Sequence, residues 1–169
     1  MTLDEGEKKF RQLKEIQAKS GVPFVVHEHV PTRTNEEAER NLSYAVERIV
    51  KTVAFSTRGG EIVLAALRGT RRVDYALLAA LIGVNRRDIA PLSPAEVSQT
   101  IGVDPGSVSP LLPVEAAILL MDHDVLSIFP TLYCGSGRPD RTLELAPDDL
   151  ARLTGAQIAC FSKGAPERR

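Results

Sequence analysis

The 169 residues carry 21 Lys and Arg against 22 Asp and Glu, a formal net charge of −1, so no global field draws the chain onto nucleic acid and any such contact needs local patches. Hydrophobic residues make up 43% and charged residues 25%, ordinary soluble usage that excludes wholesale disorder, and the length suits one domain, 1–169, with a core needing no metal or disulfide staples. No apolar run reaches bilayer length, the N-terminal MTLDEGEKKF lacks a signal peptide's apolar centre, and the cysteines Cys134 and Cys160 form no CxxC, which predicts a cytoplasmic protein with free thiols.

Phe10, Leu13 and Ile16 at helical spacing predict a first helix over 5–19, stopped by Ser20 and Gly21 ahead of Pro23. Residues 24–30 alternate as a strand, and Pro31 ends it. Thr34 with Glu37 three residues on is a capping-box signature, opening a short helix to about Asn41. Residues 48–55, RIVKTVAF, form the strand around which the rest is arranged. Ile49, Lys51, Val53 and Phe55 share one face, with Val50, Thr52 and Ala54 on the other, so both faces are largely apolar and the strand is expected to be central in its sheet. An ammonium there needs a polar pocket or an anion; the ordinary alternative is a lysine near a strand end whose stem packs while its head reaches water.

The turn Arg58-Gly59-Gly60 joins this strand to a second over 61–67, the clearest hairpin in the chain. A Leu- and Ala-rich helix follows over 73–82, with Gly83 as its stop, and Ser93-Pro94-Ala95-Glu96 sets cap, first-position proline and capping-box glutamate in order for another. Residues 101–113, IGVDPGSVSPLLP, hold two glycines and three prolines and read as a structured loop. Strands are expected over 116–121, 131–134 and 142–145, with a polar break at 122–124 and a turn over 135–140. A helix over 147–153 and a last strand over 156–161 follow, and the tail 162–169 is expected to fray. Hairpins mixed with helical crossovers predict an α+β domain with a mixed, curved sheet.

His27 and His29 share a strand face and His123 sits between Asp122 and Asp124, which invites a metal reading, but no third ligand is fixed and the Asp-His-Asp run serves equally well as a turn. Cys134, beside a glycine turn, invites a nucleophile with His27 as its base; a small buried core residue is the commoner role, and no spacing ties the two. Gly135-Ser136-Gly137 is part of a phosphate-loop pattern without the full GxGxxG. The more informative combination is Lys51, the Gly/Pro loop and the second glycine turn. Glycines let main-chain N–H groups approach a ligand, and with a lysine they suit an ester carbonyl and neighbouring phosphate or hydroxyl oxygens, with no side-chain nucleophile.

IVKTVAF with Lys51, GSVSP from Gly106 to Pro110, LYCGSG from Leu132 to Gly137 and LELAPDDL from Leu143 to Leu150, in that order, resemble the YbaK and prolyl-tRNA synthetase associated domain family, over a core of 22–161. The resemblance implies a mixed, barrel-like sheet flanked by helices and a freestanding, trans-acting deacylase that hydrolyses the ester of mischarged tRNA, tRNA-Pro first among them, in the service of translation fidelity. It implies no cofactor and no metal. Lys51 would be the essential, protonated lysine that orients the 3′-terminal adenosine or its phosphate. Gly106 would approach the aminoacyl group beside Ser107, Val108, Ser109 and Pro110, while Thr52, Gly135, Ser136 and Gly137 line the rest. Arg68, Arg71, Arg72, Arg86 and Arg87 are the candidates for acceptor-stem phosphates, their alternative being an ordinary solvated surface.

The family often has a glycine where Ser107 stands and paired glycines in the second turn, departures that bear on which amino acid fits. The rival reading is a non-catalytic aminoacyl- or nucleotide-binding or synthetase-docking module of the same fold; a third is a thiol or metal hydrolase using Cys134 or the histidines. An aminoacyl-tRNA synthetase as a further partner, and a homodimer, stay open at this stage.

Overall fold

The computed structural model describes residues 4–32, 37, 40 and 44–164. The expected boundaries of the second helix, Thr34 and Asn41, lie outside the described residues. Helix α1 spans Glu5–Ser20, strand β1 Val25–Glu28, β2 Val50–Thr57, β3 Ile62–Arg68 and β4 Arg72–Val73. Helix α2 follows at Tyr75–Ile82, then β5 at Ile89–Pro91 and a short α3 at Pro94–Glu96 that runs into a wider turn, Val97–Ile101. Strands β6 (Ile118–Asp122), β7 (Leu132–Gly135) and β8 (Arg141–Leu145) precede α4 (Pro147–Thr154), β9 (Gln157–Ala159) and β10 (Ser162–Lys163).

Local chemistry sets these boundaries. Asp4 caps α1 by accepting from the Glu7 N–H at 2.8 Å, and Gly21 ends it with φ +70°. Asp74 caps α2 by accepting from Ala76 and Leu77, and Ser93 and Glu96 form the reciprocal capping box of α3. In the β2–β3 turn Gly60 takes φ +88°, a conformation costly for any side chain.

The strands form a mixed α+β arrangement. A five-stranded sheet runs β5-β2-β3-β6-β9, with β2 antiparallel to β3 and β5, and β6 parallel to β3 and β9. A three-stranded antiparallel sheet runs β1-β8-β7, and β10 pairs with β4. The two larger sheets meet at an isolated bridge between Ile49 and Tyr133. They do not close into the barrel that the resemblance implied: one bridge is their only ladder contact among the described residues, and β5 covers only the far end of β2.

The large sheet is buried on both faces. Phe55, Val63, Ala65 and Leu67 pack with Leu78 of α2 and Phe161, while Ala54 and Leu64 pack with Val97, Ile101, Val108 and Leu112. Phe10 and Leu13 of α1 share a further core with Leu132, Cys134, Leu143 and Leu145. Truncating one of these large side chains costs about 2–5 kcal/mol, through lost burial and the void left behind.

The C-terminal segment differs from expectation. The buried carboxylate of Asp122 accepts from the N–H groups of Phe161 (2.9 Å) and Ser162 (2.8 Å), which anchors residues 162–163 as β10 rather than leaving them frayed. Residues 165–169 lie outside the described residues.

Candidate functional site

A cavity of about 370 Å³ opens where β5 stops pairing with β2. β5 reaches only Phe55, Ser56 and Thr57, so β2 is central along half its length and a free edge along the rest, which corrects the sequence expectation of a fully central strand. Opposite that edge stand Pro94 and Val97, the turn Pro105–Val108, and Tyr133, Cys134 and Gly135 of β7. The Ala54 carbonyl accepts from the Leu92 N–H at 2.9 Å. Main-chain groups alternate sides along a strand, so those of Thr52 point the same way, toward the open edge.

Two hydroxyls in this lining, Thr52 Oγ1 and Ser107 Oγ, are buried without a hydrogen-bond partner among the described residues. Ser107 is 1% exposed. Buried hydroxyls are nearly always paired, so two orphans lining one cavity are free to bond a molecule that enters it.

The loop carrying Ser107 is held by glycines. A Cβ on Gly135 would stand 2.5 Å from the Val108 carbonyl oxygen and 3.2 Å from that of Ser107, and the Gly137 N–H donates to the Ser107 carbonyl at 2.9 Å. Gly137 itself adopts φ +85°. Gly135 lines the cavity, but the close approach it permits is that of the facing loop.

Lys51 is half-buried, and its Nζ donates to the Gly69 carbonyl at 3.2 Å. Burial holds its pKa below the usual lysine range, and the neighbouring Arg72 adds to the effect. Thr52, Gly106, Ser107, Val108 and Gly135 line the cavity with Lys51, whereas Ser109, Pro110, Ser136 and Gly137 do not. Ser109 Oγ accepts from the Leu111 N–H, and Ser136 Oγ donates to the Arg141 carbonyl at 2.7 Å, so both shape turns behind the lining.

Sequence reasoning missed an aromatic wall. Tyr44 stacks on Tyr133 with centroids 3.9 Å apart, His27 meets both edge-on, and the Arg48 guanidinium lies 4.8 Å over the Tyr133 ring. Both tyrosines line the cavity, and burial, with Tyr133 and Glu144 nearby, pushes the Tyr44 hydroxyl up to about 12. Behind them Glu144 accepts from Thr131, from His27 at 2.8 Å and from Arg48 at 3.4 Å. No motif marks this wall, because its members come from distant parts of the chain.

The thiol and metal readings find little support in the geometry. Cys134 is buried, and burial pushes its thiol up to about 12, which leaves no thiolate at neutral pH. His27 is engaged by Glu144, His29 bonds Thr142 Oγ1 and the Val30 carbonyl, and neither lines the cavity. Among the described residues, no three His, Cys, Asp or Glu side chains converge as a metal site requires.

With this geometry in hand, residues 29–153 match the aminoacyl-tRNA editing domain. The chain belongs to that family. An uncharacterized protein, YwhH of Bacillus subtilis (strain 168), is 25% identical over 125 residues, covering 74% of this chain and 77% of the relative. The proline--tRNA ligase of Stenotrophomonas maltophilia (strain K279a) is 30% identical over 99 residues, 57% of this chain but only 17% of the ligase. Among solved structures, a proposed trans-editing enzyme for prolyl tRNA synthetase superposes with a TM-score of 0.79 at 26% identity, covering 96% of this chain and 100% of that one. The hypothetical protein APE2540 gives a TM-score of 0.81 at 28% identity, covering 90% and 99%. The mixed α+β fold read from the sequence is thus the fold of this editing family.

The five arginines of the sequence reading separate into groups. Arg68 places its guanidinium on Asp124 (2.8 Å), the Glu47 carbonyl (2.6 Å) and Ser127 (2.8 Å), and Arg71 binds the same Asp124 oxygen at 2.8 Å. Burial works against ionisation of Asp124, but these two guanidiniums outweigh it and hold the carboxyl below its usual range. Arg87 is exposed at the turn before β5, while Arg72 and Arg86 border a second cleft together with Lys51.

Proposed function

We propose that this protein is an aminoacyl-tRNA deacylase acting in trans, hydrolysing the ester of a mischarged tRNA of the tRNA-Pro class, in the cytoplasm where charged tRNAs circulate. The observation that carries the reading is the pair of orphan hydroxyls beside a free strand edge, in a cavity of an aminoacyl-tRNA editing domain. The apolar part of the lining, Ala54, Leu92, Val97 and Val108, would receive the amino acid side chain. Thr52, Ser107 and the main chain of β2 would meet the polar ester and amino groups, and Gly106 lets the reacting carbonyl come close to the turn backbone.

Water adds to the carbonyl carbon, directly or after a substrate hydroxyl has taken the acyl group, and gives up a proton to solvent. The carbon–ribose oxygen bond then breaks, and the ribose oxygen leaves as a hydroxyl, taking up a proton from solvent. The protein supplies position and oxyanion stabilisation, which suffice for an ester already activated. Lys51 in its protonated form would hold the 3′-terminal adenosine or its phosphate.

The test is to incubate the purified protein with a panel of mischarged tRNAs, tRNA-Pro species first, and follow release of the amino acid. Release from one or a few members supports the reading. Tight binding without release from any would point instead to a non-catalytic module.

A further inference from the structure

Lys51 and Val53 also border a second, more open cleft of about 560 Å³, lined by Arg72, Tyr75, Arg86 and Lys163. Its charge is unusual for ordinary surface. Arg72 of β4 and Lys163 of β10 are directly opposed partners in their antiparallel pair. Like charges placed so repel and destabilise the pair unless an anion lies between them. Arg86 completes the cluster from the turn before β5, its guanidinium 4.5 Å over the Tyr75 ring. Unlike Arg68 and Arg71, which Asp124 holds, none of the three has a carboxylate within ion-pair distance among the described residues. The acid in the cleft is Asp74, whose Oδ1 already accepts from the N–H groups of Ala76 and Leu77.

We infer that this cleft is a phosphodiester track: Arg72, Arg86 and Lys163 take the backbone phosphates of a single-stranded RNA 3′ end and lead its terminal nucleotide past Lys51 into the first cavity. The identity of the anion rests on the tRNA reading above; the charge cluster does not. Continuity favours RNA over a free phosphate, because the three cations share one cleft with Lys51, which Arg72 neighbours and which also lines the cavity. The flat face of Tyr75, already carrying Arg86, is the kind of surface on which an unstacked base also rests.

The experiment measures affinity for an uncharged RNA hairpin with a single-stranded CCA end, by fluorescence anisotropy across a series of salt concentrations. Each cation–phosphate contact on a single strand adds about 0.7 to the steepness of log affinity against log salt. The double variant Arg86→Gln/Lys163→Gln is expected to bind at least 10-fold more weakly at low salt and to flatten the slope by about 1.4, while Arg86→Lys keeps the slope. Lys8→Gln/Arg152→Gln, the same loss of two positive charges on exposed helix faces away from both the cavity and the cleft, controls for global electrostatics and leaves both unchanged. Relief of the Arg72–Lys163 repulsion keeps the melting temperature of Lys163→Gln at or above the parent value in low salt, so weak binding there is not misfolding. Unchanged affinity and slope in the double variant, or no hairpin binding by the parent protein, would overturn the track. Deacylation is followed in parallel: a parent protein that binds the hairpin in this way yet releases no amino acid refutes the deacylase reading and leaves the track standing.

Discussion

Gly135→Ala tests how the cavity is built. The added methyl would stand 2.5 Å from the Val108 carbonyl oxygen, about 1 Å short of ordinary contact, and the obstacle is main chain that cannot rotate away. A glycine-to-alanine change at an unstrained position stabilises by about 0.4–1 kcal/mol through the unfolded state, whereas overpacking costs about 1–3 kcal/mol, so the net effect is destabilising. Central values leave a net loss of about 1.3 kcal/mol, and for a chain of this size each kcal/mol moves the melting temperature by about 2–4 °C, which predicts a fall of roughly 3–5 °C. The loop that gives way carries Gly106 and Ser107, and a displacement of about 1 Å at reacting groups lowers kcat/KM on the order of 100-fold. Thermal unfolding by circular dichroism and deacylation kinetics measure the two effects. Gly59→Ala, whose methyl meets nothing closer than 3.7 Å, is the matched control. A Gly135→Ala protein that melts and turns over like its parent would refute the view that the glycine exists to admit the facing loop.

Lys51→Ala is expected to abolish deacylation while the far-ultraviolet spectrum is retained, and Lys51→Arg to fail as well, since a planar fork cannot replace a compact ammonium; full turnover by the alanine variant would sink the assignment. Because burial depresses the Lys51 pKa in the folded state, the unfolded chain holds a proton that the native protein has lost between that depressed value and the usual 10.5; stability therefore gains a component as pH rises through this window, and Lys51→Met should remove it in denaturant titrations at several pH values. Glu144 has the acid-side counterpart: Thr131, then His27 and Arg48, hold its folded pKa below 4.5, so the stability it contributes is complete above 4.5 and lost as pH falls through the lower folded value, a loss that Glu144→Gln should flatten. Thiol-blocking reagents should label exposed Cys160, spare Cys134 and leave deacylation unchanged, and chelators should have no effect; inactivation tracking modification of Cys134 would favour the thiol mechanism.

Local signals made much of this fold legible. The Gly59-Gly60 hairpin, the Ser93–Glu96 capping box and the stops at Gly21 and Gly83 are short-range chemistry, and each stands where the residues indicate. β4, β5 and β10 were not legible, because a strand of two or three residues has no periodicity and exists only through its partner. β10 depends on a carboxylate far away in sequence, Asp122, whose role the Asp-His-Asp run disguised as a simple break. At the site, the lysine, the GSVSP loop and Gly135 were readable as motifs, but their division of labour was not. That Gly135 clears space for Val108, that Ser136 braces a turn, and that Asp124 absorbs Arg68 and Arg71 are facts of three-dimensional proximity. The Tyr44–Tyr133 wall carries no sequence signature at all.

The half-finished pairing of β2 has an evolutionary consequence. What the strand shows the cavity at Thr52 is peptide, and peptide is the one chemical group that substitution leaves in place at every position except where proline removes the N–H. The side chains around it can therefore drift, enlarging or shrinking the space above Ala54, Leu92 and Val97, while a hydrogen-bonding rail for whatever is common to all occupants is inherited unchanged. Thr52→Pro stands apart from every other replacement at that site, since it alone would cut the rail.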